Sequence, residues 1–279
     1  MGRMMTCAAV MLLCASFTNA ADKGLASVQL FQYPGNYPTS VQGISNNNIL
    51  VGYYVGTGGE SNGFMMSNGN FQTINNPDPN SLGTVLSGVN SSGIIVGSYA
   101  TATGWNAFFY ANGVFTPVGP TGCSFDTYAY GINDLGEMVG ECDTATAIEG
   151  WIFNGTSYET AMVPGSFFTY VTGINNKGIA TVIWGRSNQP IQSSLYDGTT
   201  FKKIDFPGAK SSYAEAINDA TDVVYTLDAS YSGAFKGDQF YKISVPGCAS
   251  TVASGVNDGH VVVGGCYKSG VEYGFYVTY

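Results

Sequence analysis

One ten-residue pattern recurs six times along this 279-residue chain and constrains its fold more than any other feature. The segments are GISNNNILVG, GVNSSGIIVG, GINDLGEMVG, GINNKGIATV, AINDATDVVY and GVNDGHVVVG. Their second residues, Ile44, Val89, Ile132, Ile174, Ile217 and Val256, are spaced by 45, 43, 42, 43 and 39 residues. Repeats of roughly 40–50 residues with several short strands each point to propeller blades.

Each repeat reads as four strands. Strand a runs into Gly-Ile-Asn, as in Tyr170–Asn175, and ends in an Asx-rich turn where Asn175 caps and Gly178 takes positive φ. Strand b is β-branched, as in Ile49–Tyr54; strand c follows at Gly63–Met66 and strand d at Phe71–Ile74. Period-two alternation bounded by Gly and Asn favours hairpins over helices. So do 38 glycines, 14% aromatics and only 10% charged residues. The sixth repeat stops at Tyr279 without a strand d, and Val28–Gly35 (VQLFQYPG) resembles the strand d segment Phe201–Gly208 (FKKIDFPG). The expected fold is therefore an all-β, six-bladed β-propeller of four-stranded antiparallel blades, its last blade closed by the N-terminal strand 28–35. Repeats four and five lack the Val-Gly pair of strand b, so distortion is expected there.

Residues 1–20 read as a signal peptide: Arg3, the apolar run Cys7–Phe17, then Thr18-Asn19-Ala20 at the cleavage site. The apolar run is too short to span a bilayer, and residues 21–279 form the expected single propeller domain. A net charge of −9 disfavours nucleic acid and anionic membranes as partners. No membrane insertion is expected, and the mature protein is expected to be a secreted monomer, periplasmic or extracellular. Four cysteines remain after cleavage. Cys123 and Cys248 fall in d-to-a connections, and Cys142 and Cys266 at the ends of the following strands b. These positions share one face of a four-stranded meander, so the expected disulfides are Cys123–Cys142 and Cys248–Cys266. Each closes a loop of about 20 residues, worth on the order of 3 kcal/mol.

The G-[IV]-N-[DNS]-x-G-x-x-V-G element, followed by an aromatic hairpin and Pro-Gly, resembles the bacterial extracellular HAF repeat. The resemblance covers essentially the whole mature chain. The family's His-Ala-Phe element is replaced here by GFM, AFF, GWI, SLY, GAF and GFY. The resemblance implies a propeller fold and export, and carries no catalytic residue.

Asn90, Asn133, Asp134, Asn175, Asn218, Asp219, Asn257 and Asp258 recur at turn positions, which explains them without calcium. His260 is the only histidine, which argues against His-based nucleophilic catalysis and multi-histidine metal sites. No metal or cofactor is expected. Aromatic residues in the d–a and b–c connections are the better lead: Tyr37, Trp105, Phe167, Phe168, Tyr231 and Tyr267, with Arg186 as a carboxylate-binding cation. They suggest a non-catalytic binding or scaffold propeller that recognises a glycan or protein through the d–a/b–c face. The alternative is a carboxylate-dependent hydrolase or lyase acting on extracellular polysaccharide, with the acid pair drawn from Asp126, Glu141, Asp143 and Glu149. A purely structural surface protein is the second alternative.

Overall fold

The structure, a computed structural model, describes residues 26–204, 206, 208–228, 231–236 and 239–279. The expected signal peptide lies outside these residues. Among them every regular element is a strand, 24 in all. β1 (Ala26–Phe31) precedes the first repeat, β2 (Thr39–Ile44), β3 (Leu50–Val55), β4 (Ser61–Ser67) and β5 (Asn70–Thr73). The second contains β6 (Gly83–Val89), β7 (Ile95–Thr101), β8 (Gly104–Ala111) and β9 (Val114–Pro117). The third contains β10 (Thr127–Ile132), β11 (Met138–Asp143), β12 (Ile148–Phe153) and β13 (Tyr158–Ala161). The fourth contains β14 (Phe168–Ile174), β15 (Ala180–Gly185), β16 (Gln192–Tyr196) and β17 (Phe201–Ile204). The fifth contains β18 (Ser212–Ile217), β19 (Val223–Leu227), β20 (Tyr231–Lys236) and β21 (Gln239–Ile243). The last contains β22 (Ser250–Val256), β23 (Val261–Lys268) and β24 (Val271–Thr278).

The strands assemble as antiparallel meanders in a propeller arrangement. Four sheets have four strands each: β2–β5, β6–β9, β18–β21, and β22–β24 with β1. The third and fourth repeats share one eight-stranded sheet instead of forming two separate ones. The cause is a single parallel bridge, Ile148 to Phe168, where the start of strand c in one repeat meets the start of strand a in the next. β1 pairs antiparallel with β24, Leu30 opposite Phe275 and Phe31 opposite Gly274. The paired segment is Ala26–Phe31, shifted from the expected 28–35.

Apolar side chains of successive repeats interleave between the sheets. Val51 and Ile74 pack with Leu86, Ile95 and Phe108, while Val96 and Ala107 pack with Ala129, Met138 and Trp151. Val41, Ile44, Leu50 and Phe64 share a cluster with Val263 of the last repeat. Each buried Val, Leu, Ile, Phe or Met side chain among them contributes about 1.5–3 kcal/mol relative to exposure.

The repeat motif is explained by three devices at the inner strands. The glycine of Gly-Ile-Asn lets neighbouring inner strands nearly touch. A Cβ on Gly88 would lie 3.2 Å from Gly131 Cα, on Gly131 3.1 Å from Gly173 Cα, and on Gly255 3.3 Å from Gly43 Cα. The glycine of Val-Gly in strand b makes room for strand a of its own repeat; on Gly140 a Cβ would run into the Tyr128 carbonyl oxygen and the Trp151 ring. Gly140→Ala is accordingly expected to cost about 2 kcal/mol through overpacking, read by thermal unfolding; an unchanged midpoint would contradict this packing. Repeats four and five carry Val182 and Tyr225 at that position, yet β14–β15 and β18–β19 pair with the same bulge as the other repeats. The strand pairing of those two repeats thus shows no distortion at the missing glycine, and the shared sheet arises elsewhere, at the Ile148–Phe168 bridge between repeats three and four.

The motif asparagine serves two turns at once. Asn175 Oδ1 accepts from Lys177 N and Ile179 N of its own turn, both at 3.0 Å. Its Nδ2 donates to Asn218 O in the next repeat, also at 3.0 Å. The same cross-repeat bond runs from Asn90 to Asn133, Asn133 to Asn175, Asn218 to Asn257 and Asn257 to Ser45. A parallel belt has Asp134, Asn176, Asp219, Asp258 and Asn46 accepting backbone N–H groups from the preceding turns. The turn reading of these residues therefore holds, with an inter-repeat role added.

Candidate functional site

Every inner strand bulges once, leaving Gln42, Ser87, Tyr130, Thr172, Glu215 and Ser254 unpaired. Bulges re-aim side chains. On each strand the preceding residue is fully buried in the core: Val41, Leu86, Ala129, Val171, Ala214 and Ala253 are 0% exposed. The alternate residues converge on a cavity of about 490 Å³. All six bulge residues line it and differ widely in chemistry: Gln42, Ser87, Tyr130, Thr172, Glu215 and Ser254. This cavity lies on the d–a/b–c side; a second, of about 60 Å³, lies among the asparagine-belt turns.

The larger cavity is rich in aromatic rings. Trp105, Tyr128, Tyr130, Tyr170, Tyr53 and Tyr267 all contribute to its lining. Three of them form a ladder: Trp105 lies 5.5 Å from Tyr128, which stacks on Tyr130 at 5.8 Å with the planes 5° apart. Asp126 Oδ1 accepts from Trp105 N at 2.8 Å, fixing the start of β8. Behind the ladder lies Glu141, 5% exposed. Tyr130 Oη donates to its Oε1 at 2.7 Å, and its Oε2 has no hydrogen-bond partner. Burial, followed by repulsion from Asp143 and Asp126, pushes the Glu141 carboxyl up to about 7, against the Tyr130 hydrogen bond. Burial and the Glu141 and Asp143 charges also push Tyr170 up to about 12.

Two carboxylates line the cavity itself, Glu215 and Glu272. Burial raises the Glu272 carboxyl, outweighing the nearby Ser40 and Tyr267 hydroxyls, which favour its charged form. Glu215 is half-buried by surface area because the cavity reaches it, yet protein encloses it closely enough that desolvation alone pushes its carboxyl up to about 7. Among the described residues no Lys, Arg or His lines the cavity.

The sequence-derived candidates divide. Trp105 and Tyr267 line the cavity, from β8 and β23. Phe167 is 54% exposed at the entry to β14 and does not line it. Leu82 and Phe125 stand at the same repeat position, 61% and 70% exposed, so three successive repeats carry an apolar residue at the head of the inner strand. Phe168, expected in an open loop, is instead buried in β14, its ring 4.7 Å from Tyr170. Tyr37 is half-buried with its ring 5.4 Å from Tyr54. Arg186 is engaged: Nη2 donates to Pro164 O at 2.7 Å, and the guanidinium lies 5.0 Å from the Trp184 ring. The side chain of Tyr231 lies outside the described residues.

Of the acids, Asp126, Glu141 and Asp143 influence one another electrostatically, whereas Glu149 pairs across to Cys142 and is not among the groups that shift Glu141. None of the four lines the cavity. Tyr53, Tyr128, Tyr130, Tyr170, Glu215 and Glu272 escape a reading focused on loops. For most of them a signal exists: Tyr128, Tyr130, Tyr170 and Glu215 stand two or four residues before the repeat's Ile, where alternation turns side chains inward. Among the described residues no group of His, Cys, Asp and Glu is arranged to hold a metal ion.

Both expected disulfides are present, Cys123–Cys142 with Cα atoms 5.5 Å apart and Cys248–Cys266 at 5.7 Å. Such bonds persist in oxidising compartments outside the cytosol. Among the described residues no helix is long and apolar enough to cross a membrane.

No family model and no curated protein matches the chain. Solved structures do resemble it. A lectin of Aleuria aurantia, in complex with Fucα1-6GlcNAc, is 11% identical with a TM-score of 0.53, covering 86% of this chain and 92% of the lectin. A gluconolactonase of Xanthomonas campestris, XC5397, is 10% identical with a TM-score of 0.51, covering 87% of each chain. At such identities the likeness concerns the fold: this chain is similar to β-propellers, among them the six-bladed Aleuria aurantia lectin, 12% identical with a TM-score of 0.51 over 87% of this chain and 91% of that one.

Proposed function

We propose that this chain is an exported, non-catalytic binding propeller of six blades that takes a glycan into its central cavity. The eight-stranded sheet is read as two blades touching at one bridge, and β1 as the strand that completes the last blade. The HAF-type repeat motif fits the same reading. The observation that carries the function is the cavity: six aromatic rings with carboxylate and hydroxyl groups between them. Aromatic faces stack on the apolar faces of sugars while the polar groups take hydroxyl hydrogen bonds. Lectins among the similar folds support a glycan as ligand, and the two disulfides support export.

Oligosaccharide binding by isothermal titration calorimetry tests the reading. Trp105→Ala is expected to weaken binding about tenfold or more, the loss typical of a buried aromatic anchor. Unchanged affinity in that variant, or no glycan bound by the wild type, overturns it.

A second reading, a carboxylate-dependent hydrolase or lyase, is favoured by one observation: Glu215 lines the cavity and Glu141 lies behind its aromatic ladder, and burial pushes both carboxyls up to about 7, the range a general acid requires. Product analysis with the same oligosaccharides decides, and absence of turnover removes it.

A further inference from the structure

We infer that the glycan bound in this cavity carries a protonated amine, as in an oligosaccharide of non-acetylated 2-amino sugars. The inference rests on the glycan-binding reading and narrows it to a substrate class.

The charge of the cavity is one-signed. Among the described residues Glu215 and Glu272 are its only formally charged lining residues, and no basic side chain there offsets them. An anionic sugar would meet two carboxylates and nothing to neutralise its own charge, which disfavours uronic acids and sulfated glycans. The two acids differ in what they already hold. Glu272 has the Ser40 and Tyr267 hydroxyls near it, and they favour its charged form. Glu215 projects from the bulge of β18 and, among the described residues, has no hydrogen-bond or ion-pair partner; desolvation is what raises its carboxyl. A carboxylate placed against protein without a partner is costly. A sugar hydroxyl would supply one hydrogen bond but leave the charge uncompensated. An ammonium group supplies both the donor and the charge.

The aromatic lining points the same way. Trp105, Tyr128 and Tyr130 line the cavity, and aromatic rings attract cations, most strongly where water is excluded. An amino sugar thus meets rings for its apolar face and a free carboxylate for its nitrogen. N-acetylation removes the charge and adds bulk, so the acetylated sugar loses the Glu215 ion pair.

Calorimetry at physiological ionic strength tests this with three probes: the glucosamine tetramer, its N-acetylated counterpart and cellotetraose. The amine-bearing tetramer is expected to bind about 10- to 100-fold more tightly than either neutral one. Glu215→Gln, which keeps the side-chain shape, is expected to collapse that ratio toward one, with its thermal midpoint showing that it folds. Equal affinities for the three probes overturn the amine inference while leaving the glycan reading intact. An amine preference that survives Glu215→Gln also overturns it, assigning the preference to the acidic surface at large. If none of the sugars binds, both readings fall.

Discussion

Replacing Asn175 by alanine is expected to destabilise the protein by roughly 3–4 kcal/mol, lowering the thermal midpoint by about 10 °C. The side chain is 3% exposed and makes three hydrogen bonds. Alanine strands the N–H groups of Lys177 and Ile179 inside the turn, and a buried donor left without a partner costs about 1–3 kcal/mol. The third bond, to Asn218 O, is lost as well, though that carbonyl keeps Thr221 N as a donor. The damage is therefore mostly to the turn itself, with the inter-repeat tie as the smaller part.

The first repeat supplies the control. Ser45 stands where the other repeats have asparagine, and its Oγ accepts from Ile49 N at 3.1 Å. It accepts the belt bond from Asn257 at its carbonyl but has no amide to pass one on. Asn47 Nδ2 bridges instead to Ser91 O at 2.8 Å. Asn175→Ser should then keep part of the turn and lose the tie, costing about half as much as alanine. Urea unfolding of the two variants separates these contributions. Equal stability of the alanine and serine variants would show that the turn acceptor contributes nothing.

The repeat makes the strand order and the disulfide partners legible because both follow from position within a repeating meander. Cys123 and Cys142 meet since a d–a connection and the end of strand b adjoin in every repeat; β10 and β11 place Thr127 opposite Cys142. The cavity is less legible for a physical reason. Its residues are ordinary members of inner strands, and only the shared bulge turns Tyr130, Thr172 and Glu215 toward one space. Loop aromatics such as Phe168 look free in sequence, yet β14 begins earlier than the motif suggests and buries that ring. Arg186 likewise looks available until Pro164 and Trp184 are found beside it. The belt is hidden differently: the turn already explains each asparagine, so nothing in the pattern demands that its amide reach the next repeat.

Glu141 should make the protein less stable as pH rises from about 4.5 to 7, the reverse of a carboxylate held in an ion pair. In the folded state its carboxyl titrates at about 7 because it is buried and near Asp143 and Asp126, against an ordinary value of 4.5. Between those two values the folded protein keeps a proton that the unfolded chain has released. Unfolding then releases that proton, so raising the pH favours the unfolded state. The effect is complete above pH 7 and absent below about 4.5, and amounts to about 3 kcal/mol at about 1.4 kcal/mol per pH unit. Glu141→Gln mimics the protonated form and still accepts from Tyr130 Oη. The variant should match the wild type near pH 4.5 and exceed it in stability by pH 8. The other raised acids, Glu215, Glu272 and Asp143, are present in both proteins, so the difference between the two stability curves isolates position 141. Parallel curves from pH 4.5 to 8 would mean that Glu141 stays ionised in the fold and draws a compensating partner, removing its claim to act as a proton donor beside the cavity.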